Sequence, residues 1–126
     1  QRLQQQMMLE AGHLALLAGG EISQLKGVIG LAPITDIKAY AVGKNSCQKA
    51  TKDFMQGMPS DKPEAYTQAN PSEQTLHANS IILQGTQDKI VPAFNLKQLN
   101  RPVTLLEGGG HFDWILYWVS VMMQRY

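Results

Sequence analysis

Three short, almost wholly apolar runs constrain this chain more than anything else in it. They are GVIGLAPI (27–34), SIIL (80–83) and VTLL (103–106), and each stops at proline, glycine or other turn residues. Runs of that length with no polar alternation are the mark of strands buried on both faces, as in parallel sheets. Helical patterns lie between them. Arg2 to Ala18 repeats Leu3, Met7, Met8, Leu14, Leu17 and Ala18 at roughly helical spacing, and Gly19-Gly20 reads as its stop. Lys44 to Gln56 reads as an amphipathic helix with Cys47, Ala50, Phe54 and Met55 on its apolar side. Met58 to Asn79, with Pro59, Pro63 and Pro71, reads as a loop holding a short helical turn near 64–68. A brief helical segment follows Pro92, and Phe112 to Tyr126 predicts a last helix with Phe112, Ile115, Leu116, Val119 and Met122-Met123 on a wide apolar face. Strands alternating with helices predict an α/β fold: a three-layer arrangement with a short parallel sheet of three strands, flanking helices and right-handed crossovers.

Composition narrows the function classes. The chain has 126 residues, one domain at most, of which 44% are hydrophobic and 17% charged. The formal net charge of +1 gives no global reason to bind nucleic acid or an anionic membrane, so neither partner is expected. No run approaches the roughly 18 apolar residues of a membrane span. The lone cysteine, Cys47, can build neither an internal disulfide nor a thiolate metal site, and it reads as a small core residue. A cytoplasmic location is expected, with no cofactor and no metal.

In an open parallel sheet, chemistry gathers beyond the carboxyl ends of the strands. Three stretches qualify: Thr35-Asp36 after the first run, 85–88 with Asp88 after the second, and 108–113 with His111 after the third. Asp88 and His111 are expected side by side, within hydrogen-bonding reach. An Asp before a His, each on the loop after its own strand, matches the last two members of a Ser-Asp-His order. In such a pair the carboxylate fixes the imidazole tautomer and the imidazole takes the proton of a nucleophile.

The stretches GHLALLAGG (12–20), GVIGLAPITD (27–36), KDFMQGMPSDKPEAYTQANP (52–71), ILQGTQDKIVP (82–92) and EGGGHFDWI (107–115) together resemble the C-terminal half of an α/β-hydrolase, of the small esterase and kynurenine-formamidase-like group. They run in family order over nearly the whole chain. The resemblance implies that Asp88 matches the catalytic acid and His111 the catalytic base. It also implies that 44–71 is a small cap-like segment of a single truncated domain spanning 1–126.

The departures from that family decide the expected function. A nucleophile elbow of the type G-x-S-x-G-G should precede Gly12-His13-Leu14, and counting back puts Leu9 at the serine position, with Met7 and Ala11 where glycines permit the strained turn. Leucine has no nucleophilic atom. The strand that would present the elbow and the loop that would supply an oxyanion donor are missing. Among other hydroxyls, Ser23, Ser46, Ser60, Ser72, Ser80 and Ser120 lie in no elbow context, and Thr35 sits at the right edge without an activating turn. His13 reads as a packing residue and His77 as a solvated loop residue. Trp114, Tyr117 and Trp118 lack basic neighbours and read as core or interface.

The sequence therefore predicts a non-catalytic α/β-hydrolase-like remnant that retains Asp88 and His111 and acts through binding or self-association. The alternative is a hydrolase of small carboxylic esters or amides whose nucleophile comes from sequence before Gln1 or from a partner chain. Without neighbours the first strand would be an edge with little charge to protect it. A homodimer, built through the N-terminal helix and that strand, is the expected way to cover it. The sequence names no small-molecule ligand.

Overall fold

The structure, a computed structural model, describes the backbone of residues 2–96 and 99–125. Side chains of residues 1–11, 94, 95, 115, 118, 119, 121, 122 and 125 lie outside the described set. The chain runs α1 (Arg2–Glu21), β1 (Val28–Leu31), α2 (Ile37–Ala41), α3 (Ser46–Met55), α4 (Pro63–Gln68), a 3-10 turn (Pro71–Glu73), β2 (Ser80–Gly85), a second 3-10 turn (Ala93–Leu96), β3 (Val103–Leu106) and α5 (Asp113–Arg125). The three strands pair in the order β1-β2-β3, both pairs parallel. Val28 sits beside Ser80, Leu31 beside Leu83, and Ile82 beside Val103.

This register sorts the strand residues onto two faces. Val28, Ile82 and Val103 turn toward α1 and pack with Leu16, Leu76 and Leu99. The opposite face holds Leu83, which packs with Ala32, Leu106 and the buried Trp114 of α5. The sheet is thus the middle of three layers. A third cluster, Ile34, Ile37, Tyr40, Ala41, Tyr66 and Val91, lies beyond the carboxyl ends of the strands and ties α2, α3 and α4 to the loop after β2.

Three expectations are corrected, and one element is added. The first is that α1 stops at Gly19-Gly20; it runs through both to Glu21. A Cβ at Gly19 would run into the Val28 side chain, and one at Gly20 into the carbonyl of Thr75. Gly19 lets the helix lie close on β1 and Gly20 lets it lie close on the 75–76 backbone, and this packing offsets the propensity lost by placing glycine in a helix. The second is the buried stripe of α1. Leu14 is 55% exposed, whereas His13, Leu16 and Gly19, spaced three apart, are buried.

The third point is α2, in a stretch to which the sequence analysis assigned no element. Asp36 caps it by accepting the N–H of Ala39 at 3.2 Å. The fourth concerns the apolar helix faces. Cys47 and Met55 pack against the core from α3, but Phe54 is 68% exposed. On and before α5, Leu116 and Met123 are exposed and Phe112 is partly so, and Trp114 carries the burial instead. The nucleophile position, Leu9, lies within the helical span of α1, and its side chain is outside the described set.

Candidate active site

The strand ends bring the two site loops together. Thr86 donates its N–H to the carbonyl of Leu106 at 3.0 Å, and Gln87 donates to that of Gly109 at 2.9 Å. Gly85 makes this approach possible, because a Cβ there would overlap the backbone of Gly109. The Thr86 hydroxyl accepts the N–H of Gly108 at 2.8 Å and fastens the glycine turn. The N–H of Gly110 reaches the carboxylate of Asp113 at 2.7 Å, at the start of α5.

His111 and Asp88 meet across this junction, Nδ1 to Oδ2, at 2.7 Å. The side chains are 5% and 0% exposed, so the pair is almost dry. The other carboxylate oxygen, Oδ1, accepts the N–H groups of Ile90 and Val91, each at 2.9 Å. Oδ2 also accepts from Nε2 of Gln84 at 3.1 Å. Burial pushes the Asp88 carboxyl up; the hydrogen bond from His111, those from Val91 and Ile90, and the attraction of the imidazole outweigh it and hold the group below the ordinary carboxylate value. An anionic Asp88 accepts the Nδ1–H, which leaves Nε2 as the ring nitrogen turned away from the carboxylate. The Phe112 ring stands edge-on to the imidazole at 4.9 Å.

The loop that carries Asp88 is held from the other side by the segment 36–45. The Tyr40 hydroxyl donates to the carbonyl of Ile90 at 2.8 Å, and the Asn45 amide reaches the same oxygen at 3.4 Å. Burial first, then the nearby Cys47 and Asp88, raise the Tyr40 phenol far above its ordinary value, so it stays a neutral donor.

Of the other residues weighed from sequence, none converges on this pair among the described hydrogen bonds. His13 is buried and bonds through Nε2 to the carbonyl of Ala69 at 2.5 Å, joining α1 to the end of α4. His77, partly exposed as expected, is also a structural link. Its Nδ1 accepts the N–H of Asn79 at 3.0 Å, so Nε2 donates to the carbonyl of Leu25 at 2.7 Å. Ser80 bonds to the carbonyl of His77, and Ser72 to that of Thr35. Trp114 is core, with Tyr117 edge-on at 5.3 Å, and Trp118 lies outside the described side chains. Among the described residues no three His, Cys, Asp or Glu side chains are placed to hold a metal ion. No described helix is long and apolar enough to cross a membrane.

Gln84 is the residue that sequence reasoning missed. It is fully buried near the end of β2, and Nε2 faces three acceptors: Asp88 Oδ2, the carbonyl of Val91 at 3.0 Å and that of Gly85 at 3.2 Å. Three acceptors around one atom fix the amide orientation. Its Oε1 is buried with no hydrogen-bond partner. An unsatisfied buried acceptor costs about 1–3 kcal/mol. The signal was available: a glutamine closing an otherwise apolar strand, four residues before the aspartate.

Solved structures similar in fold to this chain include proteins named as hydrolases and esterases. Over 79% of this chain the structure superposes on puromycin hydrolase with a TM-score of 0.66 and 21% identity, covering 17% of that chain. Acetyl xylan esterase from Paenibacillus sp. R4 matches 93% of this chain at a TM-score of 0.56 and 16% identity, over 43% of its own length. A thermophilic esterase from Thermogutta terrifontis matches 90% at 0.51 and 16%, over 49% of its length. The chain carries a partial α/β-hydrolase fold. It spans less than half the length of each of these neighbours. No family model matches the sequence, and no curated protein does. Within this partial α/β-hydrolase fold, Asp88 and His111 occupy the carboxyl ends of adjacent strands, β2 and β3.

Proposed function

We propose that these 126 residues are an α/β-hydrolase-like unit that keeps the acid and base of a hydrolytic site but does not by itself carry out the covalent step, and that it acts through binding or self-association. One observation supports this most: Leu9, at the position where the family resemblance puts the serine, falls inside the continuous helical span of α1. A helix gives no elbow, and leucine offers no atom to attack a carbonyl.

The test is turnover of short acyl esters such as p-nitrophenyl acetate, together with intact mass after treatment with a fluorophosphonate probe. No turnover above buffer and no adduct are expected. Hydrolysis by the purified chain that disappears in His111→Ala overturns the reading.

The second reading is favoured by the pair itself. The Asp88–His111 contact is short, dry and backed by three further donors, the geometry of a working general base. On this reading the chain is the acid–base half of a hydrolase of small carboxylic esters or amides. The nucleophile comes from sequence outside these 126 residues or from a partner chain. Its hydroxyl proton passes to Nε2 of His111 as oxygen attacks the carbonyl carbon, and returns to the leaving group as the tetrahedral intermediate collapses. Intact mass of the protein isolated from its native source separates the two readings. A species heavier than 13.9 kDa that contains a reactive serine supports the second.

A further inference from the structure

We infer that Gln84 is the positioning residue of the Asp88–His111 pair: its amide occupies the fourth acceptor site of the carboxylate and fixes which oxygen faces the imidazole. The inference rests on reading that pair as the acid and base of the site.

An ionised carboxylate has about four lone-pair sites. Asp88 has all of them engaged: Ile90 and Val91 on Oδ1, His111 and Gln84 on Oδ2. The two backbone donors alone permit the carboxylate to rock about its Cβ–Cγ bond, because both grip one oxygen. The Gln84 amide on the second oxygen removes that freedom. It comes from β2 rather than from the loop that carries Asp88, so it references the carboxylate to the sheet. The same amide bonds the carbonyl of Val91 and closes the loop 88–91 onto the strand. Gln84 therefore sets the direction of the one hydrogen bond that orients His111.

The burial pattern supports a role for the donor end of the side chain. Gln84 is 0% exposed, and its Oε1 has no partner. Methionine would fill the same volume without stranding an acceptor. What glutamine adds at this place is the NH2 group, and all three acceptors within reach of that group belong to the Asp88 loop or its base.

The experiment compares Gln84→Met with the unaltered chain by NMR. It reads the Asp88 carboxyl titration and the exchange with water of the His111 Nδ1–H proton. Loss of the donor moves the Asp88 midpoint upward and speeds Nδ1–H exchange by about fivefold or more, the loss of roughly one hydrogen bond. Leu76→Ala is the control, because Leu76 is buried in the cluster under α1 and does not touch the carboxylate. A merely structural role for Gln84 predicts that both variants change stability and neither changes the Asp88 midpoint. That outcome overturns the inference.

A second measurement covers the case in which Gln84→Met does not fold. In the unaltered chain, the side-chain amide signals of Gln84 must shift with the same midpoint as the Asp88 carboxyl. Amide signals that stay constant through that titration overturn the inference as well. Neither measurement needs turnover. Ester hydrolysis by the chain would overturn the non-catalytic reading and leave the role of Gln84 standing.

Discussion

Asp88 is the electrostatic centre of the candidate site. Its buried carboxylate takes four donors, and against the upward push of burial the bonds from His111, Val91 and Ile90 and the attraction of the imidazole hold it below the ordinary range. A carboxyl whose folded pKa is depressed releases its proton more readily in the folded state than in the unfolded one. Its contribution is complete above the unfolded value, near about 4, and is lost as the pH falls through the lower folded value. Unfolding midpoints measured from about pH 6 down to about pH 2 should therefore fall steeply at the acid end for the unaltered chain, and less so for Asp88→Asn. Glu73, whose carboxyl is lowered by Lys38 and Asn70, contributes to both curves alike and cancels in the comparison. Near neutral pH the variant should be less stable by about 1–3 kcal/mol, since it leaves buried donors facing a poorer acceptor. Parallel acid limbs for the two proteins would remove Asp88 from this account.

At the scale of elements, the fit of α1 on β1 depends on residues with almost no side chain. A methyl group at Gly19 has no room beside Val28, so Gly19→Ala must push the helix off the strand or force Val28 from its rotamer. Overpacking of this kind costs about 1–3 kcal/mol. The gain in helix propensity, about 1 kcal/mol, works in the opposite direction. A net loss in unfolding free energy, read by chemical denaturation, is expected; a more stable variant would mean that the contact is loose. The same pair of glycines explains where the sequence misled. Glycine marks both a helix stop and a close approach, and only the position of the neighbouring strand separates the two meanings. The strands were legible because a parallel sheet needs apolar residues on both faces, so the runs 27–34, 80–83 and 103–106 announced themselves. The placement of Asp88 and His111 followed from the strand ends. The helix α2 was not legible by periodicity, since five residues hold barely more than one turn, and its only local sign was the capping Asp36. Gln84 was missed for a related reason. A polar residue at the end of a strand looks like the start of a turn, and its burial appears only when the loop 88–91 folds back over it.

Among the described residues the sheet has two edges without a strand neighbour, β1 and β3, and beside β1 lies a partly uncovered apolar face. β1 pairs only with β2, so the N–H and C=O groups of its outer side meet no strand. Beside that edge, on the face away from α1, lie Ile29, Leu31 and Ile81, which are 47%, 41% and 38% exposed. Unprotected edges of this kind recruit another strand. The self-association proposed above gives them one: two copies of β1 pair antiparallel across a two-fold axis, making a six-stranded sheet in which each Ile29 and Leu31 is flanked by those of the partner. In the other variant, α1 packs across the same axis and shields the edge. Light scattering at micromolar concentration should give twice 13.9 kDa, and a clean monomer mass would end the proposal. Ile29→Lys then tells the two variants apart. Ile29 is already half exposed in the isolated chain, so a lysine there costs the monomer little. In the strand-paired dimer it brings two like charges close together at the joint, which destabilises the pairing. A folded, monomeric Ile29→Lys protein is the expected result, and a folded variant that keeps the dimer mass would leave α1 as the interface.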